Sequence, residues 1–229
     1  MLGSAQRPAT WERWAWMAGI VFVLALLAES VVATGIGLTH QESAATIARG
    51  LHAHEQRMIA IACISIVYAV AFVVYLWKLY LLLRGDPARP NDLGILVLVG
   101  GVLFVTLHAV SDIGITGMLG ARVASYSAAH DQGLSFSLYY LTYALDSVAD
   151  VFGSLAFLAA GLSILRAGEL PRRLGWVAIA TAPFLLLQGF GLGGVIATFG
   201  LALDLVGFLL LLVFVVWTSV AGYRLTSSR

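Results

Sequence analysis

The feature that most constrains this chain is a series of apolar segments, each long enough to cross a lipid bilayer as an α-helix. A transmembrane helix needs about 20 consecutive, mostly apolar residues. Six segments meet that requirement, and we expect one all-α, polytopic transmembrane domain over residues 1–229, with short loops. The predicted spans are 14–38, 58–83, 93–119, 137–165, 174–194 and 200–222.

The composition agrees with a lipid environment. Hydrophobic residues make up 60% of the chain and charged residues only 11%, whereas soluble domains carry about 25% charged residues. So few charges cannot cover a water-facing surface, which excludes soluble enzymes. The net charge of +1 argues against nucleic acid as a partner. Cys63 is the only cysteine, so no intrachain disulfide and no cysteine-based metal site can form.

The segments between the spans contain turn and helix-start signals. Residues 84–92 form a cluster rich in Gly, Pro and Asp that no helix crosses, and residues 169–173 form a second turn. Residues 39–42 have the form of a capping box and predict a short interfacial helix over about 43–55, before the second span. The first span is longer than the 7–15 apolar residues of a signal peptide, so we expect it to be retained as a transmembrane helix.

The positions of the cations predict the orientation, because short cytoplasmic loops accumulate Lys and Arg. With the N-terminus inside, ten cations lie on the inner side and three on the outer side. We therefore expect a bacterial plasma-membrane protein with both termini in the cytoplasm. Lys78 is expected to extend toward the inner headgroups. The six tryptophans map near the inner boundary as an aromatic belt: Trp11, Trp14, Trp16, Trp77, Trp176 and Trp217.

The polar residues within the spans lie at a common depth. An ionisable group costs about 2.5 to 3.5 kcal/mol at the centre of a membrane helix, so each one needs an explanation. With the predicted orientation, all of them fall in the outer half of their spans, which predicts an outward-facing polar cavity. The candidate lining residues are Glu29, His108, Asp112, Tyr143, Asp146, Asp150, Gln188 and Asp204.

Helical spacing places several of these residues together. Residues four apart share a helix face, so His108 and Asp112 form one pair and Asp146 and Asp150 another. The fourth span continues this pattern as a stripe that we expect to face the bundle interior, formed by Tyr139, Tyr143, Asp146, Asp150, Gly153 and Phe157.

The polar cluster has several interpretations. The leading hypothesis is a non-enzymatic membrane protein whose cavity binds a lipid-like or small amphipathic ligand, or a partner subunit or second copy. In a purely structural interpretation, the acids pair with Arg57, Arg122 or tyrosine hydroxyls and fix helix packing. A metal-dependent intramembrane enzyme would use His108 with Asp112, Asp146 or Asp150, and a proton- or cation-coupled carrier is a further alternative. No diagnostic ligand spacing is present, so we predict no cofactor and assign no catalytic residue.

Three stretches carry a family resemblance. They are Trp11-Glu-Arg-Trp-Ala-Trp-Met-Ala-Gly19, Glu42-Ser-Ala-Ala-Thr-Ile-Ala-Arg49 with His54-Glu-Gln-Arg57, and Leu165-Arg-Ala-Gly-Glu-Leu-Pro-Arg-Arg-Leu-Gly-Trp176. The most specific motif is Gly168-Glu-Leu-Pro-Arg-Arg-Leu-Gly175, within the third stretch. The order of the three stretches resembles that of small six-span bacterial integral membrane proteins of the domain of unknown function 4386 type, especially actinobacterial ones. The resemblance implies a six-span fold and a membrane location. It implies no activity and no functional residue.

Overall fold

The computed structural model describes residues 10–34, 36, 43–85, 91–117, 123–190 and 197–227. Every regular element in these ranges is helical, which confirms the predicted all-α class. A π-helical segment, Val110–Thr116, follows the fourth α-helix directly. The α-helices are α1 (Thr10–Ala33), α2 (Ala44–Ala53), α3 (Glu55–Leu83), α4 (Asp92–Ala109), α5 (Ala124–Ala129), α6 (Gln132–Ala167), α7 (Arg172–Gly189) and α8 (Ala197–Ser227).

Polar side chains and glycine set the helix ends that the turn signals predict. Asn91 begins α4 by accepting a hydrogen bond from the Leu93 amide at 3.2 Å, and Asp131 begins α6 by accepting one from the Gly133 amide at 3.0 Å. Gly168 ends α6 with a φ of 71°, a left-handed conformation that glycine adopts without steric cost.

Some predicted boundaries differ from the observed ones. The first helix ends at Ala33 rather than at residue 38, because the sequence that follows it, Thr34-Gly-Ile-Gly, has low helix propensity. The short helix α2 forms where it was expected, but Ser43 is its N-cap and accepts a hydrogen bond from the Thr46 amide. The predicted capping box at residues 39–42 lies outside the described residues, as do 118–119 and 191–194 at the ends of two predicted spans.

Five of the described helices are long and apolar enough to cross a membrane. Their spans are Trp11–Ala33, Glu55–Leu83, Asp92–Gly114, Gln132–Ala167 and Leu205–Ser227. The helix α7 is not among them. It has 18 residues, but Arg172 and Arg173 occupy its first turn, and Pro183 and Gln188 lie within it. These four residues lower its hydropathy relative to the other long helices.

Six helices pack in a closed ring. The order around the ring is α1, α3, α4, α6, α7, α8 and back to α1, and each helix packs against both of its neighbours in that order. Adjacent members run antiparallel. For example, the early residue Gly19 of α1 packs against Val215, late in α8, and Gly175 of α7 packs against Gly161 of α6. A closed ring of alternating helices encloses a single interior.

The interior is divided into two halves of different character. The packed half contains the N-terminal parts of α1 and α4. Its buried residues are large and apolar, among them Phe72, Leu79 and Val97. Contacts between aromatic side chains lie at the boundary of this half. The ring centroids of Phe72 and Phe104 are 5.9 Å apart, and those of Phe157 and Phe214 are 5.1 Å apart. The other half, toward the C-termini of α1 and α4, is open and is called the polar half below.

One sequence-based expectation near the end of the packed half is wrong. Trp16 does not belong to an exposed belt; it is 4% exposed and packs edge-on against Tyr75, whereas the other five tryptophans are exposed. Lys78 reaches the first turn of α1 at the same end of the bundle, where its ammonium lies 4.0 Å from the Glu12 carboxylate and 5.0 Å from the centre of the Trp11 ring. Its position relative to the headgroups stays a prediction.

Candidate functional site

The polar half of the ring contains a cavity of about 910 Å³. Each of the six ring helices, or the segment directly following it, contributes to its wall. The wall combines ionisable, hydroxyl and amide groups with aliphatic and aromatic side chains. Its lining residues include Phe22, Leu26, Glu29, Ser30, Thr34, Tyr68, Phe104, Val105, His108, Asp112, Tyr143, Asp146, Ser147, Asp150, Leu185, Gln188, Leu205, Phe208 and Leu211.

Most of the candidate residues identified in the sequence meet in this cavity. Seven of the eight line it: Glu29, His108, Asp112, Tyr143, Asp146, Asp150 and Gln188. The eighth, Asp204, belongs to the backbone of α8, but its side chain lies outside the described part of the chain. The predicted stripe on α6 faces inward, with Gly153 and Phe157 buried in the packed half. Tyr139, by contrast, packs in a separate cluster around Ile47 of α2.

His108 lies between two carboxylates of α6. Its Nδ1 atom is 3.0 Å from Asp146 Oδ1, and its Nε2 atom is 3.4 Å from Asp150 Oδ1. The two aspartates are one helical turn apart, so both can face the same imidazole. The Phe104 ring packs edge-on against the imidazole, with 4.8 Å between the ring centroids. Neutral imidazole has one donor and one acceptor nitrogen, so only the imidazolium form donates to both carboxylates.

Asp112 is held by hydrogen bonds from α3. Its Oδ2 atom accepts a hydrogen bond from the Tyr68 hydroxyl at 2.5 Å, and the Ser65 hydroxyl lies 3.1 Å from the same oxygen. Asp112 belongs to the π-helical segment, in which the Gly117 amide bonds to the Asp112 carbonyl five residues earlier. In an uninterrupted α-helix, His108 and Asp112 would lie on the same face. The wider π-helical turn rotates Asp112 relative to that face. π-helical segments of this kind are frequent at functional sites.

Glu29 contributes the fourth acid of the cavity, from α1. Its Oε2 atom is fully buried, and no hydrogen-bond partner for it exists among the described residues. A buried carboxylate oxygen normally has a donor, because losing hydration without one is costly. Glu29 is therefore the least satisfied of the described acids in the cavity.

The arrangement bears on the metal-site hypothesis. In the part of the chain that the structure describes, no group of three or more His, Cys, Asp or Glu side chains is placed to hold a metal ion. Both ring nitrogens of His108 already face carboxylates, so ligating a metal would require breaking one of those contacts. Asp112 is likewise engaged by the Tyr68 hydroxyl, while the single Ser65 hydrogen is shared between Asp112 and the Ile61 carbonyl.

The purely structural interpretation pairs the acids with Arg57, Arg122 or tyrosine hydroxyls, and the structure describes two of these three kinds of partner. Arg57 does not pair with an acid in the described contacts; its Nη1 atom donates to the Thr34 carbonyl at 3.0 Å, beside the cavity. Arg122 lies outside the described residues. A tyrosine hydroxyl does hold an acid, in the contact of Tyr68 with Asp112.

The contribution of α3 to the cavity was not predicted from the sequence. Ser65 and Tyr68 are polar groups three residues apart in an apolar span, so they share a helix face. That spacing is a signal for an inward-facing polar pair, but it does not identify Asp112 as the partner. The aromatic rings of Phe22, Phe104 and Phe208 at the cavity wall also had no distinctive signal among the many apolar residues.

A family model described as domain of unknown function (DUF4386) matches residues 17–222. No curated protein and no solved structure matches the chain. The family match covers all six ring helices in whole or in large part, and therefore the described cavity.

Proposed function

The chain belongs to the domain of unknown function 4386 family, whose description assigns no activity, and on this basis we propose a function from the cavity itself. The protein is a non-enzymatic, multi-pass protein of the bacterial plasma membrane. Its cavity opens toward the extracytoplasmic side and binds a small amphipathic or lipid-like molecule.

The observation that carries the proposal is the size and mixed chemistry of the cavity. Small-molecule sites typically have volumes of about 300–1,000 Å³ and mostly apolar walls with a few placed polar groups. The volume of about 910 Å³ lies within that range. Aliphatic residues such as Leu26, Leu185 and Leu211 share the wall with the acids and His108. A wall of this composition suits a molecule with one polar and one apolar part.

The proposal includes six membrane crossings in one domain over residues 1–229, with α7 as the fifth and α2 at the membrane interface. Gly175 of α7 lies against Gly161 of α6, and Gly189 of α7 lies against the Ser147 carbonyl of α6. Fourteen residues separate the two contacts on each helix, which corresponds to about 21 Å of helix axis. Thus α7 runs beside α6 through most of the roughly 30 Å hydrocarbon layer. The alternating ring also needs α7 to join α6 to α8.

The proposed orientation follows from the cation distribution. With six crossings, both termini lie on the same side as the α3–α4 and α6–α7 connections. Ten of the 13 cations lie in or close to these four segments. The end of the packed half then faces the cytoplasm and the polar half faces outward. The dense apolar packing around Phe72, Leu79 and Val97 leaves the cavity without a described path to the inner side, which favours binding over conduction.

Native mass spectrometry of protein released from its own membranes tests the proposal. The wild-type protein is expected to retain a small molecule, and Ser147→Trp, which fills the cavity, is expected to lose it. Leu155→Trp is the matched control, because Leu155 lies two turns away on α6 and is exposed on its outer face. Asp146→Asn with Asp150→Asn is a second variant, for use if Ser147→Trp does not fold. A wild-type protein without any adduct, an adduct that is a polypeptide, or equal retention by all variants contradicts the proposal.

A further inference from the structure

The charge balance of the cavity indicates the chemical class of its ligand. Four carboxyl groups line the cavity: Glu29, Asp112, Asp146 and Asp150. His108 is the one basic side chain among the described lining residues, and it is shared by two of the acids. No Lys or Arg belongs to that lining, and Arg57 beside it donates to a backbone carbonyl. The cavity therefore holds an excess of acidic groups over basic ones.

Resting on the proposed function, we propose that the ligand is a cationic amphiphile, namely an amine or quaternary ammonium group attached to an apolar tail. The positive group lies among the acids, with Glu29 as its principal counter-ion. Glu29 has this role because it lines the cavity while its carboxyl group lacks a described hydrogen-bond donor, whereas the other three acids already have donors or a basic partner. Its Oε2 atom is enclosed by protein, so the cation meets the carboxyl group from the side of its other oxygen.

Aromatic rings at the wall fit the same ligand. The face of an aromatic ring attracts a cation, and quaternary ammonium groups are recognised in this way. Five rings line the cavity around the acids: Phe22, Tyr68, Phe104, Tyr143 and Phe208. A bare metal ion would use neither these rings nor a volume of about 910 Å³. Both features favour an organic cation.

The cavity also has a side open toward the surroundings of the bundle, which suits an apolar tail. Ser30 of α1 and Leu205 of α8 both line the cavity and are both exposed, Leu205 to 56%. The glycine-mediated contacts between these neighbouring helices lie in the packed half, at Gly19 and Gly222. In this proposal the apolar tail leaves the cavity beside Ser30 and Leu205 and reaches the lipid there.

Matched probes test the inference on purified full-length protein in a neutral, sugar-headed detergent. Dodecylamine and dodecyltrimethylammonium carry the positive group, and dodecanol has the same chain without it. Binding of each probe is followed by native mass spectrometry as a function of probe concentration. We expect the wild-type protein to bind both cations at least about tenfold more tightly than dodecanol.

Variants separate the role of Glu29 from general effects. Glu29→Gln should weaken the binding of both cations by about tenfold or more and leave dodecanol binding unchanged. Because the substitution removes a buried acid without changing its shape, the melting temperature should stay equal or rise. Glu169→Gln, on the exposed turn between α6 and α7, is the control and should bind all probes like the wild-type protein.

The outcomes distinguish this inference from the proposed function. If the amine and the alcohol bind equally and Glu29→Gln has no effect, the cationic ligand is overturned. The cavity remains a binding site in that case if Ser147→Trp abolishes the binding of both probes. Binding of every probe that is insensitive to Ser147→Trp overturns both proposals. Preference for the cations that does not depend on Glu29 overturns its role as the counter-ion.

Discussion

The imidazole of His108 and the carboxylate of Asp146 join α4 to α6 through atoms 3.0 Å apart, although the residues are 38 positions apart in the sequence. Asp150 reaches the other ring nitrogen at 3.4 Å. One side chain of α4 thus separates two acids that lie on one face of α6. The stability of the polar half should therefore depend on this histidine more than on a histidine elsewhere.

Replacing His108 with Gln should destabilise the protein by about 1–3 kcal/mol, because two neighbouring carboxylates lose their shared basic partner. The side chains of Asp146 and Asp150 are 38% and 17% exposed, which places the expected loss at the lower end of that range. The measurement is the melting temperature in detergent. The exposed His130 provides the control, since His130→Gln should have little effect.

A rescue experiment distinguishes charge from packing at His108. Adding Asp146→Asn and Asp150→Asn to His108→Gln should restore most of the lost stability. The two neutral amides do not repel each other as the two carboxylates do when His108 is absent. If the triple variant is as unstable as His108→Gln, or if His108→Gln melts like His130→Gln, the ion pair does not hold the two helices together.

Tyr68→Phe should destabilise the protein by about 1–3 kcal/mol, since it removes the hydroxyl that donates to Asp112 at 2.5 Å and leaves a partly buried carboxylate with one fewer donor. Thermal unfolding measures the effect, and Tyr223→Phe, at an exposed position of α8, is the matched control. Combining Tyr68→Phe with Asp112→Leu should add little to the effect of Asp112→Leu alone. Fully additive losses would show that the two residues do not interact.

The sequence predicted the helical class and the convergence of polar groups because both depend on local patterns. Apolar length and punctuation predicted the helices, and the position of each polar group along its span predicted a common depth. Spacing of four predicted that Asp146 and Asp150 share a face, and both contact His108 in the structure. The same rule did not predict the partner of Asp112, because a π-helical segment begins at Val110 and changes the register.

Other features depend on three-dimensional neighbours that no single span encodes. Tyr68 is one of several tyrosines in apolar segments, and its role follows only from the packing of α3 against the π-helical segment. Trp16 matched the pattern of an interfacial tryptophan, but Gly222 on α8 leaves room for its ring inside the bundle. The packing of α7 in the ring likewise depends on small residues that permit close approach to α6.

The contact between Gly161 and Gly175 should not tolerate even a methyl group. A Cβ atom on Gly161 would lie 2.6 Å from the Gly175 carbonyl oxygen and 2.6 Å from a side-chain carbon of Ile179, so α7 would have to move away from α6. Gly161→Ala should therefore cost about 1–3 kcal/mol of stability, measured by thermal unfolding.

The control for this substitution lies in the π-helical segment. A Cβ atom on Gly114 would meet only a carbon of Val110 at 4.0 Å, so Gly114→Ala should be neutral or slightly stabilising. Equal melting temperatures for the two variants would show that α6 and α7 do not pack as closely as described.

Single cysteines on a Cys63→Ala background test whether α7 crosses the membrane. With six crossings and the N-terminus inside, cysteines replacing Gly85, Glu169 and Ser227 should be protected from a membrane-impermeant thiol reagent in intact cells, because all three positions lie inside. A cysteine replacing the exposed His130 should react, and all four should react after the cells are opened. If α7 did not cross, α8 would run in the opposite direction and Ser227 would lie outside. Labelling at Ser227 with protection at Glu169 would therefore contradict six spans, and labelling at Gly85 would contradict the proposed orientation.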